Sequence, residues 1–298
     1  MAHQYHPLGF EGSRIAQGYW RLAEWGMSDQ ELLSFIEQSI AAGITTVDHA
    51  DIYGDYQCES LFGRALALKP SLRDKLQIIT KCGIRLPSKN RPEIASHRYD
   101  QSVQHILQSV DNSLQNLKVD HIELLLLHRP SPLMDADHIA EAFEHLHTVG
   151  KVRHFGVSNF NPQQFDLLQS RLEMPLLVNQ VELSPLELKH FEDGTLEHAQ
   201  QHAVTPMAWS PFAGGDMFRL EGINPTLFKA LTEVSEAHNA SLDQIALAWL
   251  MRHPSGIAPV IGSGSIERVL SAQQAQSIEL SDDQWFAIWV ASKGHPVP

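Results

Sequence analysis

Four polar residues stand at or just beyond the ends of short aliphatic segments: Asp48, Tyr53, Lys81 and His128. A lysine cation beside a tyrosine stabilises the phenolate and so lowers a phenol pKa that starts near ~10. An aspartate paired with that lysine holds the cation in place, and a neutral histidine directs a carbonyl oxygen towards the phenol. These residue types predict a general-acid site for an oxygen that gains negative charge, and such chemistry needs no metal.

The elements that must position these residues repeat along the chain. Segments of helical period alternate with eight predicted strands, at residues 14–17, 44–47, 76–80, 122–127, 152–157, 177–181, 204–209 and 258–261. Several of these strands are apolar throughout, which is typical of a parallel sheet buried on both faces. In the first predicted helix, Ser28 and Glu31 form a capping-box pattern, and Gly43 follows the end of the helix.

Eight strand–helix repeats without a flexible linker predict one (β/α)8 TIM barrel domain over residues 1–298. We expect a short N-terminal cap before Arg14 and extra helices around residues 225–253 and 281–293. A doubly wound sheet would carry G-x-G-x-x-G after its first strand, and the motif is absent there. The late Gly262-Ser263-Gly264 segment has Glu267 in place of the third glycine, so we reject this alternative. In a barrel, the four polar residues would meet at the carboxyl ends of the strands.

Composition excludes several classes of protein. Of the 298 residues, 43% are hydrophobic and 19% are charged, which is typical of a large folded core and not of a disordered chain. The net charge of −13 repels nucleic-acid phosphates and anionic lipid, and no basic run offsets it. The apolar run at 124–127 is far shorter than the ~20 residues that span a bilayer. We expect a cytoplasmic protein that binds neither nucleic acid nor membrane.

Six short motifs in a fixed order carry a resemblance to a known family. They are D-x-A-x-x-Y-G at 48–54, I-I-T-K at 78–81, L-L-L-H at 125–128, G-V-S-N-F at 156–160, N-Q at 179–180 and W-S-P at 209–211. In this combination the chain resembles the aldo-keto reductases, and in particular their bacterial oxidoreductase branch. The resemblance implies that an aldehyde or ketone is reduced by a nicotinamide cofactor, usually NADPH, bound without a Rossmann domain. Tyr53 would be the general acid, assisted by Lys81, Asp48 and His128.

The resemblance also implies a set of cofactor-binding residues: Gly18, Tyr19, Asp48, Ser158, Asn159, Gln180, Trp209, Ser210, Phe212, Ser263 and Arg268. Within this set, Ser158, Asn159 and Gln180 look like the contacts to the nicotinamide carboxamide. Trp209 looks like the aromatic platform beneath the nicotinamide ring.

The phosphate end of the implied cofactor site departs from the family pattern. Ser210 and Phe212 resemble the stretch along the pyrophosphate, and Ser263 and Arg268 resemble the clamp on the adenosine 2′-phosphate. A planar guanidinium suits a phosphate. The lysine that many members carry in this clamp is missing, and Asp216 stands where a basic residue is often found. We expect that Arg268 outweighs these departures, so that NADPH binds more tightly than NADH.

Aromatic side chains in the predicted mouth loops favour an apolar substrate pocket formed by Trp20, Trp25, Tyr53, His128 and Phe212. The expected partner is a small carbonyl compound, and the expected state is a monomer or weak oligomer. One alternative stays open. Some relatives, such as potassium-channel β subunits, act mainly as cofactor-bound partners of another protein and turn over slowly.

His198 and His202 have the i, i+4 spacing of a metal-binding pair on a helix. Zincin chemistry needs a glutamate directly after the first histidine, and Ala199 stands there. We interpret the pair as part of a solvated helix face and predict no metal.

Overall fold

A computed structural model of the protein describes residues 12–219 and 223–298. Its central feature is a closed barrel of eight parallel strands in which each strand pairs with its neighbours in chain order and the last pairs with the first. The strands are β1 (Ala16–Gly18), β2 (Thr46–Asp48), β3 (Gln77–Cys82), β4 (Ile122–Leu127), β5 (Val152–Ser158), β6 (Leu176–Glu182), β7 (Thr205–Trp209) and β8 (Ala258–Ile261). The predicted barrel is confirmed.

Helices surround the barrel and follow the strands in alternation. They are α1 (Asp29–Ala41), α2 (Tyr53–Tyr56), α3 (Cys58–Ala67), α4 (Val103–Leu117), α5 (Ala136–Thr148), α6 (Pro162–Gln169), α7 (Lys189–Glu192), α8 (Thr195–Gln201), α9 (Pro225–His238), α10 (Leu242–Met251), α11 (Ile266–Gln274) and α12 (Asp282–Lys293). Short 3-10 turns at Leu22–Glu24, Pro70–Lys75, Ala213–Phe218 and Ala275–Ser277 complete the connections.

The predicted element boundaries agree closely with the structure. Ser28 caps α1 and forms the predicted capping box with Glu31. The extra helices are confirmed as α9 and α10 between β7 and β8, and as α12 at the C-terminal end. The predicted N-terminal cap falls almost wholly on residues 1–11, outside the described residues, and the assignment of one domain to residues 1–298 stays a prediction. A small antiparallel pair, Ile84–Arg85 with Arg98–Tyr99, was not predicted, because strands of two residues leave no periodicity to detect.

Strand alternation divides the core into an inner and an outer layer. Ile79, Leu124, Leu126, Val178 and Met207 pack together inside the barrel. The residues between them on the same strands face outward and pack against the helices, which explains why the strands are apolar on both faces. In this outer layer a Cβ on Gly63 of α3 would lie 2.0 Å from the Asn116 carbonyl oxygen of α4, so the close approach of these helices requires glycine.

The C-terminal helix is held against the barrel by a stack of three indoles. The rings of Trp249 and Trp285 are 5.1 Å apart and nearly parallel, and Trp289 continues the stack at 5.5 Å. Each of the first two indole N–H groups donates to the other residue's backbone carbonyl, so the buried donors are satisfied. Within residues 12–219 and 223–298, no helix combines the length and apolar character that crossing a bilayer requires.

Candidate active site

The alternation of strand residues also places the polar site. Lys81, His128 and Gln180 each lie two residues beyond an inward-facing core residue of their strand, so their side chains form the next inward layer, at the carboxyl end of the barrel. Asp48 ends β2, the strand beside Lys81 on β3. The mouth of the barrel therefore collects residues that are far apart in sequence.

A buried lysine is the centre of this layer. The Lys81 ammonium donates to both Asp48 carboxylate oxygens at 2.8 and 2.7 Å, to the His49 carbonyl at 2.8 Å and to the Tyr53 hydroxyl at 3.1 Å. The Lys81 side chain is 0% exposed, and that of Asp48 is 4% exposed. Burial opposes the charge on Lys81, but the attraction of Asp48 and Tyr53 outweighs it, so the pKa of Lys81 lies above its usual value. Lys81 is a fixed cation in contact with the tyrosine hydroxyl.

Tyr53 is protonated at neutral pH. Burial raises the pKa of this phenol, and Lys81 lowers it by a smaller amount, so the net pKa is above the usual value. The expectation of a lowered Tyr53 pKa is therefore wrong in its net direction, because the cost of placing a phenolate in this site exceeds the attraction of the lysine. A protonated phenol held beside a cation is a proton donor whose conjugate base is stabilised as it forms.

His128 faces Tyr53 across the mouth. The two rings are 5.8 Å apart at 78°. Burial, followed by repulsion from Lys81 and Arg129, holds the pKa of His128 well below its usual value. The imidazole is neutral at physiological pH, as the sequence analysis expected, and it can polarise a carbonyl oxygen by hydrogen bonding without adding a second cation.

A chain of hydrogen bonds joins Asp48 to the residues that were predicted to contact the nicotinamide carboxamide. The Gln180 side-chain amide donates to Asp48 Oδ1 at 2.9 Å, and the Gln180 backbone carbonyl accepts from Ser158 Oγ at 2.8 Å. Asn159 adopts a left-handed conformation with φ 60° and donates to Ser158 Oγ at 2.6 Å. The Trp209 indole donates to Asn159 Oδ1 at 3.1 Å. The structure therefore brings these four predicted residues together beside the layer of Lys81 and His128, with the half-buried Trp209 ring at the mouth.

Gly18 is the last residue of β1 and Tyr19 follows it, and the two residues have different surroundings. A Cβ on Gly18 would lie 3.0 Å from Val260 Cγ1 and 3.1 Å from the Ile261 carbonyl oxygen, so a larger residue would press on β8. The Tyr19 side chain is fully buried and stacks on His49 at 4.8 Å. The Tyr19 ring is therefore enclosed by protein, and its predicted role in cofactor binding stays a prediction that only its backbone could fulfil.

The remaining predicted cofactor residues lie on the loops after β7 and β8. Ser210 has a left-handed φ of 49°, and Phe212 packs against Phe218 with the rings 5.5 Å apart. Ser263 accepts the Gln17 amide through its backbone carbonyl at 3.0 Å. Arg268 lies in the first turn of α11, is exposed, and has no ion pair among the described residues. A guanidinium in that state is free to bind a phosphate.

Two tryptophans of the predicted substrate pocket, Trp20 and Trp25, have different surroundings. Trp20 is 57% exposed on the loop after β1, with the Arg21 guanidinium 5.0 Å above its ring. The Trp25 ring packs against Tyr19 and lies so close to Gly264 that a Cβ there would be 2.7 Å from the indole. Trp25 therefore lies beside the loop after β8, and its assignment to the substrate pocket stays a prediction.

Comparison with known proteins agrees with this geometry. The model of the Aldo/keto reductase family matches residues 14–291. The chain belongs to the aldo/keto reductase family. It is 50% identical to the oxidoreductase YdhF of Escherichia coli (strain K12), over 98% of this chain and 97% of that protein. It is 40% identical to a 6-dehydroglucose reductase of Agrobacterium fabrum, over 96% of each chain.

A solved aldo/keto reductase of Klebsiella pneumoniae, in complex with NADP and acetate, superposes with a TM-score of 0.74 at 25% identity, over 96% of this chain and 92% of that one. These comparisons confirm the recognised family and the barrel. They also show that the protein is an oxidoreductase of a family that uses a nicotinamide cofactor.

Two charged residues at the mouth of this aldo/keto reductase were not among those predicted from the sequence. The Arg129 guanidinium lies 5.6 Å from the centroid of the Trp209 ring, and its one described hydrogen bond is a 3.4 Å contact to the His128 carbonyl. Burial and repulsion from Glu187 raise the pKa of Glu182, and attraction to Arg129 partly offsets them. Both residues were detectable, because Arg129 directly follows His128 and Glu182 ends the strand that carries Gln180.

Proposed function

We propose that this protein reduces an aldehyde or ketone to an alcohol with NADPH, and that Tyr53 is the general acid. The observation that carries the proposal is the 3.1 Å contact between the buried Lys81 ammonium and the Tyr53 hydroxyl, with Asp48 fixing the lysine. A neutral His128 beside Tyr53 completes the set.

The reaction adds a hydride to the carbonyl carbon and a proton to the carbonyl oxygen. Bound NADPH would supply the hydride. His128 hydrogen-bonds the carbonyl oxygen and directs it to Tyr53. As negative charge grows on that oxygen, the Tyr53 hydroxyl transfers its proton, and Lys81 stabilises the resulting phenolate. Asp48 keeps Lys81 protonated and in position, and Gln180 keeps Asp48 in position.

The residues of the mouth fit the cofactor. Trp209 offers a half-buried ring as a platform, and the neighbouring Ser158, Asn159 and Gln180 carry hydroxyl and amide groups that suit a carboxamide. Ser210 and Phe212 follow on the same loop for the pyrophosphate. Ser263 and Arg268 would hold the 2′-phosphate, since both lie on the segment that leads from β8 into α11.

The function is tested with purified protein, NADPH and a panel of aldehydes, ketones and dicarbonyls. We expect NADPH oxidation that depends on the carbonyl compound. Tight NADPH binding with negligible turnover on every compound, together with a co-purifying protein, would instead support the alternative role as a cofactor-bound partner.

Replacing Arg268 with alanine should weaken NADPH binding about tenfold or more and leave NADH binding nearly unchanged. A charge-assisted hydrogen bond is worth ~1.5–3 kcal/mol, which is one to two decades in affinity. Only NADPH carries the 2′-phosphate, so the ratio of the two dissociation constants, measured by calorimetry, isolates this contact. Lys293→Ala is the control, because that lysine pairs with Glu192 on α7. Equal losses for the two cofactors would show that Arg268 does not hold the phosphate.

We further propose that the substrate is a polyhydroxylated carbonyl compound, such as a sugar-derived aldehyde. Arg129 is a donor and Glu182 an acceptor, and neither has an ion pair among the described residues. Hydroxyl groups can satisfy both, because a hydroxyl can accept from the guanidinium and donate to the carboxylate. Exposed rings such as Trp20 suit the apolar faces of a sugar. The A. fabrum relative is named a 6-dehydroglucose reductase, which supports the same class.

Arg129→Met should raise KM for a sugar-derived aldehyde about tenfold and leave KM for benzaldehyde nearly unchanged. The reason is that only the hydroxylated substrate loses a hydrogen bond to a charged group, worth ~1.5–3 kcal/mol. Glu182→Gln, which keeps the shape of the side chain, should have a smaller effect in the same direction. Equal changes for both aldehydes would mean that Arg129 acts through His128 and not on the substrate hydroxyls.

A further inference from the structure

Three potential metal ligands converge on the outside of the barrel, at the helices α6 and α8. Asp166 on α6 accepts a hydrogen bond from His198 Nε2 on α8 at 2.7 Å, and His202 Nε2 lies 3.9 Å from the same carboxylate oxygen. All three ligand atoms lie within 4.8 Å of one another. The pair of histidines alone was interpreted as a solvated face, and the structure adds a carboxylate from a second helix.

Of the two imidazoles, that of His198 is restrained by its packing, and that of His202 lies beside it at the surface. His198 packs edge-on against Phe165, with the rings 5.1 Å apart, and its side chain is 12% exposed. The rings of His198 and His202 lie 4.4 Å apart. The His202 backbone N–H donates to the His198 carbonyl at 3.1 Å, so the last helical turn fixes the spacing between the two rings. Asp166 and His198 are thus already joined by a hydrogen bond, and His202 stands within reach of both.

We propose that Asp166, His198 and His202 form a site for a borderline divalent cation such as Zn²⁺. Two imidazoles and one carboxylate are a ligand set that zinc uses, with metal–ligand distances of about 2.0–2.2 Å. Tetrahedral coordination at those distances separates ligand atoms by about 3.4 Å. From 2.7 Å the Asp166–His198 pair would open by about 0.7 Å. From 3.9 Å the Asp166–His202 pair would close by about 0.5 Å, and the two histidine nitrogens, which lie within 4.8 Å, would close by at most about 1.4 Å. Asp166 and His202 are exposed, so water can fill the fourth position.

This site is separate from the proposed reduction chemistry. α6 follows the strand that carries Ser158, and α8 follows the strand that carries Gln180, but the three ligands lie on the outer helical layer. A bound cation would join α6 to α8 and stabilise the folded state by mass action. The acidic chain, with its net charge of −13, favours cation binding in general. We therefore expect zinc to raise the melting temperature without being required for turnover.

The test uses untagged, chelator-treated protein and ZnCl₂ as the probe. Calorimetry should show one tight site, and thermal unfolding should move to higher temperature when zinc is added. His198→Ala, His202→Ala and Asp166→Asn should each weaken zinc binding about tenfold or more and remove the shift in melting temperature. His138→Ala is the matched control, because His138 is an exposed helical histidine 3.5 Å from Asp135 and should leave both measurements unchanged.

Two results would overturn the proposal. One is the absence of a zinc isotherm in the unmodified protein. The other is equal zinc affinity in the control and in the three ligand variants, which would place the binding elsewhere. Carbonyl reduction by each variant shows that it is folded, since none of the three residues belongs to the catalytic layer.

Discussion

Tyr53→Phe should lower kcat about 10²–10⁴-fold while NADPH affinity changes little. The substitution removes the proton donor but keeps the ring that lies beside His128 and above the Lys81 cation. General acid catalysis is typically worth this range, because the forming alkoxide otherwise receives its proton from water. The chemical step is measured by single-turnover oxidation of bound NADPH, and cofactor affinity by calorimetry.

Tyr56→Phe is the matched control for this prediction. The Tyr56 hydroxyl is three residues away in sequence and exchanges hydrogen bonds with the Leu86 backbone, at 3.1 Å as donor and 2.8 Å as acceptor. Its loss can cost some stability but should leave the chemical step intact. If Tyr53→Phe retains full activity, the proton comes from another group and the proposed mechanism is wrong.

Lys81→Met should abolish measurable turnover and also lower the free energy of unfolding by about 3–5 kcal/mol. The reason is that Asp48 would remain buried as an unpaired carboxylate, and removing one partner of a buried ion pair typically costs this amount. Lys69→Met is a suitable comparison. Its ammonium pairs with Glu37 at 2.6 Å, but the lysine side chain is 52% exposed, so its loss should cost less than ~1 kcal/mol.

The double variant Asp48→Asn/Lys81→Met separates the two roles of the pair. A neutral amide at position 48 can still accept the hydrogen bond from Gln180, so much of the lost stability should return. Turnover should not return, because no cation remains beside Tyr53. Stability is measured by urea unfolding, and turnover is measured by steady-state rates. Equal stability of the Lys81→Met and Lys69→Met proteins would contradict the buried charge described above.

The sequence was sufficient for the fold and for the polar residues that lie at strand ends. The strand at 122–127 was predicted with the boundaries that the structure shows, because a buried parallel strand is a continuous aliphatic run. His128 follows that run, and strand alternation points its side chain inward like those of Leu124 and Leu126. In each case one local pattern determined both the element and the direction of the side chain.

The sequence was not sufficient where the outcome depends on which distant residues the fold brings into contact, or on opposing contributions to a pKa. The net pKa of Tyr53 depends on how far burial exceeds the attraction of Lys81, and no local pattern gives that difference. The contact of Asp166 with His198 joins residues 32 apart on different helices.

The indole stack that joins α12 to α10 separates the chain's six tryptophans into three stacked rings and three rings outside the stack, and the two groups should differ in their spectra. Trp249, Trp285 and Trp289 are nearly parallel, with successive ring centroids 5.1 and 5.5 Å apart, so their excited states couple and should give a near-ultraviolet circular dichroism couplet. Trp20, Trp25 and Trp209 are separate from this stack and lie on the mouth loops. Detachment of the C-terminal helix would therefore erase the couplet, whereas ligand binding at the mouth would leave it in place and change the emission of the other three rings.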